Sequence, residues 1–422
     1  MTADGTKPAG LRQATWLSRP ETQTVLRLLE QAGHQARVVG GSVRNALMGT
    51  AVKDIDIATT ALPEETMRLA RAAGFTAHPT GIEHGTVTIV VDHLPFEVTT
   101  LRRDIETFGR HARVTFTKDW AEDARRRDFT INALYCGRDG TLFDPLGGYP
   151  DLVARRVRFI GAPHDRIRED YLRILRFFRF FAEYGHGSPD PAGLAACAAM
   201  RSGIAHLSGE RIRAELLRLL AAPRAIDAVA ALIGADILDV EHLSFDQRAM
   251  GRLAAIEAGL GRAPDAVLRL AALLVTQPAD ARHLKERLRL SSAEADTLAR
   301  VAGARPEDRG LDPEATDERH ARAALYRSGT AAWDARGLVL WARSHADTED
   351  AARRQRLALP ERWPPPPLPV SGRDVLALGI APGPGVGEVI RAFEAWWIAE
   401  DFPNDPARIA AGLAAAVATA GA

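Results

Sequence analysis

Two aspartates one residue apart carry the first chemical signal in this chain. In VVGGSVRNALMGTAVKDIDIA, residues 38–58, Asp54 and Asp56 stand at i and i+2. On a strand that spacing sends both carboxylates to one face while Ile55 and Ile57 take the core. Two carboxylates a few ångströms apart repel, and one would be held protonated unless a cation lay between them; a hard divalent ion such as Mg²⁺ meets that need. Upstream, Gly40, Gly41 and Ser42 end an apolar strand and lead into a helix-like stretch. Glycines let the backbone approach a polyanion, and exposed N–H groups with Arg44 would hold phosphates. Either half alone reads as a Gly-Gly turn or as two solvent-facing aspartates. Together they are the equipment of phosphoryl or nucleotidyl transfer. Glu97, alternating with Phe96 and Val98, is either a third acidic group of this site or an ordinary exposed strand glutamate.

The elements that must position these groups follow from apolar periodicity. Strand-like runs fall at 36–39, 55–58, 86–91 and 96–101, with hairpin turns at 92–95 and at GRDG, 137–140. Pro63 followed by Glu64 and Glu65 starts a helix that Gly74 stops. From about residue 165 onward apolar residues recur at three and four, as in Tyr171, Leu172, Leu175 and Phe178, so the rest of the chain reads as helical. PERWPPPPLP, 360–369, reads as a stiff extended linker rather than helix. The fold expected is α+β: a mixed-sheet head followed by an all-helical remainder.

At 422 residues the chain exceeds what one hydrophobic core usually serves. Its 46% hydrophobic and 26% charged residues exclude wholesale disorder. Two cysteines, Cys136 and Cys197, exclude a disulfide scaffold or a cysteine-rich zinc module. No apolar run is long enough to span a membrane, and MTADGTKPAG lacks the apolar core of a signal peptide, so a cytoplasmic protein is expected. The 54 basic and 54 acidic residues cancel, which argues against indiscriminate polyanion binding but allows a local basic face. Residues 155–220 hold 12 arginines against 7 acidic residues, the first place to dock an RNA.

The order GG, twelve residues, DID, then a strand bearing FEV resembles the polymerase-β-like nucleotidyltransferase superfamily. Four further motifs narrow the resemblance to class II tRNA nucleotidyltransferases, the CCA-adding enzymes, and their bacterial poly(A) polymerase relatives: RRDFTINA at 126–133, DPLGGYPDL at 144–152, EDYLR at 169–173 and LSGERIRAEL at 207–216. The resemblance covers about half the chain. It implies a nucleotidyltransferase head at 36–148 after a helical lead-in at 1–35. A base-selecting neck at 149–225, a tRNA-binding body at 226–359 and a tRNA-binding linker and tail at 360–422 would follow.

It further implies a template-independent enzyme that adds or repairs the 3′-terminal CCA of tRNA from CTP and ATP and releases pyrophosphate. The alternatives are a poly(A) polymerase and a C-adding or A-adding half-enzyme. By resemblance Asp54 and Asp56, with Glu97 beside them, are catalytic, and the two aspartates hold two Mg²⁺ ions. Gly40, Gly41, Ser42 and Arg44 hold the triphosphate. Asp128 accepts from the ribose 2′-hydroxyl, with Arg126, Arg127 and Asn132 in support. Asp170 and Arg173, expected side by side on one helix face, read the Watson–Crick edge of cytosine or adenine; the bland alternative is a simple helix ion pair. RRDIETFGRHARVT, 102–115, reads as a charged loop, flexible by resemblance. Asn45 departs from the family's VRD, which puts any salt bridge made there by relatives in doubt. Partners are the tRNA acceptor arm and the two nucleotides.

Overall fold

The computed structural model describes residues 5–108, 111–237 and 243–420. The chain divides into two compact units, Met1–Val240 and Glu241–Ala422.

The sheet of the first unit is built from short β-branched runs. Its strands are β1 (Ala36–Val39), β2 (Asp56–Thr59), β3 (Thr76–Gly81), β4 (Thr86–Val91) and β5 (Leu94–Thr100). A separate ribbon, β6 (Arg102–Phe108) and β7 (His111–Phe116), precedes the two-residue strands β8 (Tyr135–Cys136) and β9 (Leu142–Phe143). Among the described residues the main sheet has the order β3-β4-β5-β2-β1-β8-β9. Among the described strands only the β2–β5 pair is parallel, and its register sets Asp56 beside Glu97. The inward face of β2 and β5 is apolar: Ile57, Phe96 and Val98 are at most 1% exposed. The alternation that buries them turns the acidic residues outward.

Helices follow their start signals. Pro63 opens Pro63–Ala72 with Glu64 and Glu65 in its first turn. Asp144 accepts from the backbone N–H groups of Gly148 (2.8 Å) and Tyr149 (2.9 Å) at the start of Gly148–Val153. Gly148 is required there by close approach, since a Cβ would lie 2.1 Å from the Thr130 carbonyl oxygen. Gly148→Ala is therefore expected to cost about 1–3 kcal/mol of stability, seen as a lower urea midpoint with an unchanged m-value.

Four departures from the sequence reading have local causes. Strand β3 (TAHPTG) went unseen because it lacks an apolar alternation; it pairs on the sheet edge with a register shift between His78 and Gly81. The expected charged loop at 102–115 is instead the antiparallel ribbon, Arg102 opposite Phe116. Asp54 lies just before β2 rather than in it. Pro360 does not exclude helix: it sits in the first turn of Leu359–Arg362, where a missing N–H costs nothing.

Among the described residues of the second unit the regular elements are all helices. Its C-terminal pair, Pro384–Ala399 and Pro406–Ala420, encloses a core of Val389, Phe393, Trp397 and Leu413. Trp397 donates its indole N–H to the Pro403 carbonyl (2.9 Å) within this core. Gly383 precedes the first of these helices, and Gly385 and Gly387 lie in its first turn.

Candidate active site

The turn after β1 and the start of β2 face a cleft of about 590 Å³ within the first unit. Gly40, at φ +73°, takes the chain from β1 into the helix Gly41–Leu47, a backbone that favours glycine. The cleft brings together Gly40, Gly41, Arg44, Asp56, Arg126, Arg127, Asp128, Asn132, Asp170 and Arg173, ten of the thirteen residues singled out in the sequence. Asp54 and Glu97 are exposed beside Asp56 rather than in the cleft wall. Ser42 is 3% exposed, and its hydroxyl donates back to the Val39 carbonyl. Only its backbone N–H remains at the helix start, where no intrahelical partner exists.

The Asp56 carboxyl is strongly perturbed. Burial and the neighbouring Glu97 push its pKa up to about 6, with Arg127 opposing and Asp54 adding to the rise. That is the condition a divalent cation relieves, so the oxygen donors here fit Mg²⁺. Among the described residues no group of three acidic, histidine or cysteine side chains is placed to hold a metal ion by itself.

Arg44 is 6% exposed, and among the described residues its hydrogen bonds go to neutral side chains. It donates to Asn45 Oδ1 (3.0 and 3.2 Å), to Asn132 Oδ1 and to the Tyr184 hydroxyl (2.8 Å). Its guanidinium carbon sits 4.0 Å from the Tyr184 ring centroid. Burial lowers its pKa. Asn45 thus supplies hydrogen bonds without neutralising the charge, which stays available to an anion.

Asp128 is buried, and its four acceptor positions are filled. Oδ1 accepts from the Phe129 N–H (2.8 Å) and from Asn132 Nδ2 (2.8 Å); Oδ2 accepts from Arg176 Nε (2.9 Å) and Nη2 (2.5 Å). Arg176 also meets Glu215 at 3.4 Å, and Glu215 pairs with Arg179, which is 2% exposed. Arg176 and Arg179 are cleft residues that the sequence reading missed. Their signal was weak: in LRILRFFRF they look like the solvated face of an amphipathic helix.

Asp170 and Arg173 do not share one helix face as expected, nor do they form the alternative ion pair with each other. Asp170 ends one helix, Pro163–Glu169, in an extended conformation, and the next, Leu172–Tyr184, begins two residues later. The physical reason is capping: the Asp170 carboxylate accepts from the Leu172 N–H (3.1 Å), which starts the new helix and breaks the old one. Asp170 pairs with Arg211 (2.7 Å), from the fifth motif, and Arg173 with Glu169. Both still line the one cleft.

The family model described as "Poly A polymerase head domain" matches residues 36–158, and that of the "Probable RNA and SrmB- binding site of polymerase A" matches 188–243. Across 86% of this chain and 83% of its own length, the mitochondrial CCA tRNA nucleotidyltransferase 1 of Danio rerio is 35% identical. The chain belongs to the CCA tRNA nucleotidyltransferase family. The CCA-adding enzyme of Lacticaseibacillus paracasei is 33% identical over 90% of this chain and 92% of its own. Among solved structures, the Bacillus stearothermophilus CCA-adding enzyme in complex with CTP is 28% identical and superposes with a TM-score of 0.70. That match covers 95% of this chain and 98% of the other. The family is in general metal-dependent. No helix among the described residues is long and apolar enough to cross a membrane.

Proposed function

We infer that this chain builds or repairs the 3′-terminal CCA of tRNA from CTP and ATP, releasing pyrophosphate without a nucleic-acid template. The observation that carries the reading is one arginine-rich cleft holding both Asp56 and the Asp170 and Arg173 side chains. It occurs in a chain that aligns with CCA-adding relatives over most of its length. Asp54 and Asp56, with Glu97 alongside, would hold two Mg²⁺ ions, which when bound lower the pKa of the attacking 3′-hydroxyl and neutralise the leaving pyrophosphate.

The remaining work falls to the chain's own side chains. Gly40 and Gly41 let the triphosphate reach the backbone N–H groups at the helix start, while Arg44 and Arg127 neutralise its oxygens. Asp128 meets the ribose 2′-hydroxyl only by sharing an oxygen with Arg176, so we place Arg176 beside it in ribose recognition. Asp170 and Arg173, held by Arg211 and Glu169, replace a template base as acceptor and donor. The body and tail bind the tRNA acceptor arm through phosphate contacts and shape.

The test is an extension assay with Mg²⁺ on tRNA transcripts ending before CCA, after C and after CC, and on an unrelated RNA, with each of the four NTPs. Extension that stops at CCA on tRNA alone is the expected result. Long adenosine tails on any RNA would mean a poly(A) polymerase. Arrest after two cytidines, or addition only to the CC-ended transcript, would mean half of a two-enzyme system.

A further inference from the structure

Asp123 stands outside every motif that carries the family resemblance, yet its carboxylate is held from several sides behind the cleft. It lies in the helix Trp120–Arg125, started by Asp119, whose side chain accepts from the Ala121 N–H (2.8 Å). The Asp123 side chain is 1% exposed. Its Oδ1 accepts from Arg126 Nε (2.8 Å) and its Oδ2 from Arg127 Nη2 (3.1 Å) and the Tyr135 hydroxyl (2.8 Å). Oδ1 is also 3.4 Å from the backbone N–H of Arg102, the first residue of β6.

Two features separate this cluster from a packing device. First, one carboxylate faces two guanidiniums, and both arginines line the cleft rather than the core. Second, Arg127 Nε is buried with no hydrogen-bond partner among the described residues. The Arg127 Nη1 atom lies 3.6 Å from where a Cβ on Gly40 would be, so this guanidinium abuts the glycine turn. From the other side Arg166 donates to the Arg127 carbonyl (2.9 Å), fixing the backbone that carries the side chain. Burial works against the charged form of Asp123, but Arg127, Arg126 and the Tyr135 hydroxyl outweigh it and hold the carboxyl down at about 2. It is charged at any working pH.

We propose that Asp123 is a positioning residue for nucleotide binding: it aims Arg127 at the nucleotide's phosphates over Gly40. The proposal rests on the cleft being the nucleotide site. Fixing a long, flexible side chain in advance removes an entropic cost from binding, and a charge-assisted anchor does so with direction.

The experiment is a double-mutant cycle on CTP binding, measured by calorimetry with Mg²⁺ on the full chain. The variants are Asp123→Asn, Arg127→Ala and the pair, and melting temperatures are recorded for each. Asp123→Asn keeps the shape and removes the charge. Each single change is expected to weaken CTP binding about tenfold, and the double variant no more than Arg127→Ala alone, because interacting residues are non-additive. Tyr135→Phe, which removes one bond to the same oxygen, should weaken binding about threefold in wild type and not in Arg127→Ala, and it serves if Asp123→Asn does not fold. Additive losses in the cycle, or a fall in melting temperature with unchanged CTP affinity, would overturn the positioning role alone. Failure of the wild-type chain to bind CTP would overturn both this proposal and the nucleotide reading of the cleft.

Discussion

Asp56→Ala is expected to abolish incorporation of cytidine and adenosine alike, by about 10³-fold or more in kcat, while leaving tRNA binding intact. The size follows from what is removed. A carboxylate that holds a divalent ion against developing phosphate charge acts on the transition state, where such electrostatic contributions are largest. One site serves both nucleotides, so the loss cannot be selective.

Thermal melting adds a readout independent of activity. Mg²⁺ should raise the melting temperature of the wild-type chain, since a ligand that binds only the folded state stabilises it, and should not do so for the variant. Without metal the sign reverses. The folded pKa of Asp56 is raised from 3.8 to about 6 by burial and Glu97, so ionisation costs stability as the pH rises through that window. Above it the cost is constant, and Asp56→Asn should then make the metal-free protein more stable, by about 1 kcal/mol after allowing for solvent screening. A metal-free variant less stable than wild type at pH 7, or wild-type-like incorporation, would remove Asp56 from the metal site.

How far the sequence reached can be seen at particular residues. Asp56 beside Glu97 was foreshadowed by period-two alternation in two separate strands; only their parallel pairing, a long-range fact, makes them neighbours. The helix boundary at Asp170 was illegible because aspartate serves equally as a helix member and as the residue that starts the next helix. Local side-chain hydrogen bonding decided between them. Arg176 and Arg179 were hidden for a different cause. Arginine on a helix face reads as solvated unless the facing carboxylates are known, and Asp128 and Glu215 lie tens of residues away on other elements. Asp123 was overlooked beside the more conspicuous RRD, although its i+3 and i+4 spacing to Arg126 and Arg127 fits helical ion pairs.

Arg173→Ala should cut discrimination against GTP and UTP by about 10²-fold, more than it raises KM for CTP or ATP. Cytosine and adenine each present an amino donor beside a ring-nitrogen acceptor on the Watson–Crick edge; guanine and uracil present the reverse order. A carboxylate acceptor at Asp170 and a guanidinium donor at Arg173 match the first pattern and leave unpaired groups against the second. Deleting the guanidinium removes that penalty for the wrong base along with the bond to the right one, so the ratio of kcat/KM values moves further than either alone. Arg173 also donates to the carbonyl oxygens of Arg166 (2.9 Å) and Arg126 (3.3 Å), so its loss loosens backbone near the arginine cluster. That effect weakens all four nucleotides together and cancels in the ratio. Selectivity that stays at the wild-type level while KM rises uniformly would make Arg173 a brace for the 126–127 backbone and move base choice to other cleft residues, with Arg211, already bound to Asp170, the first to replace.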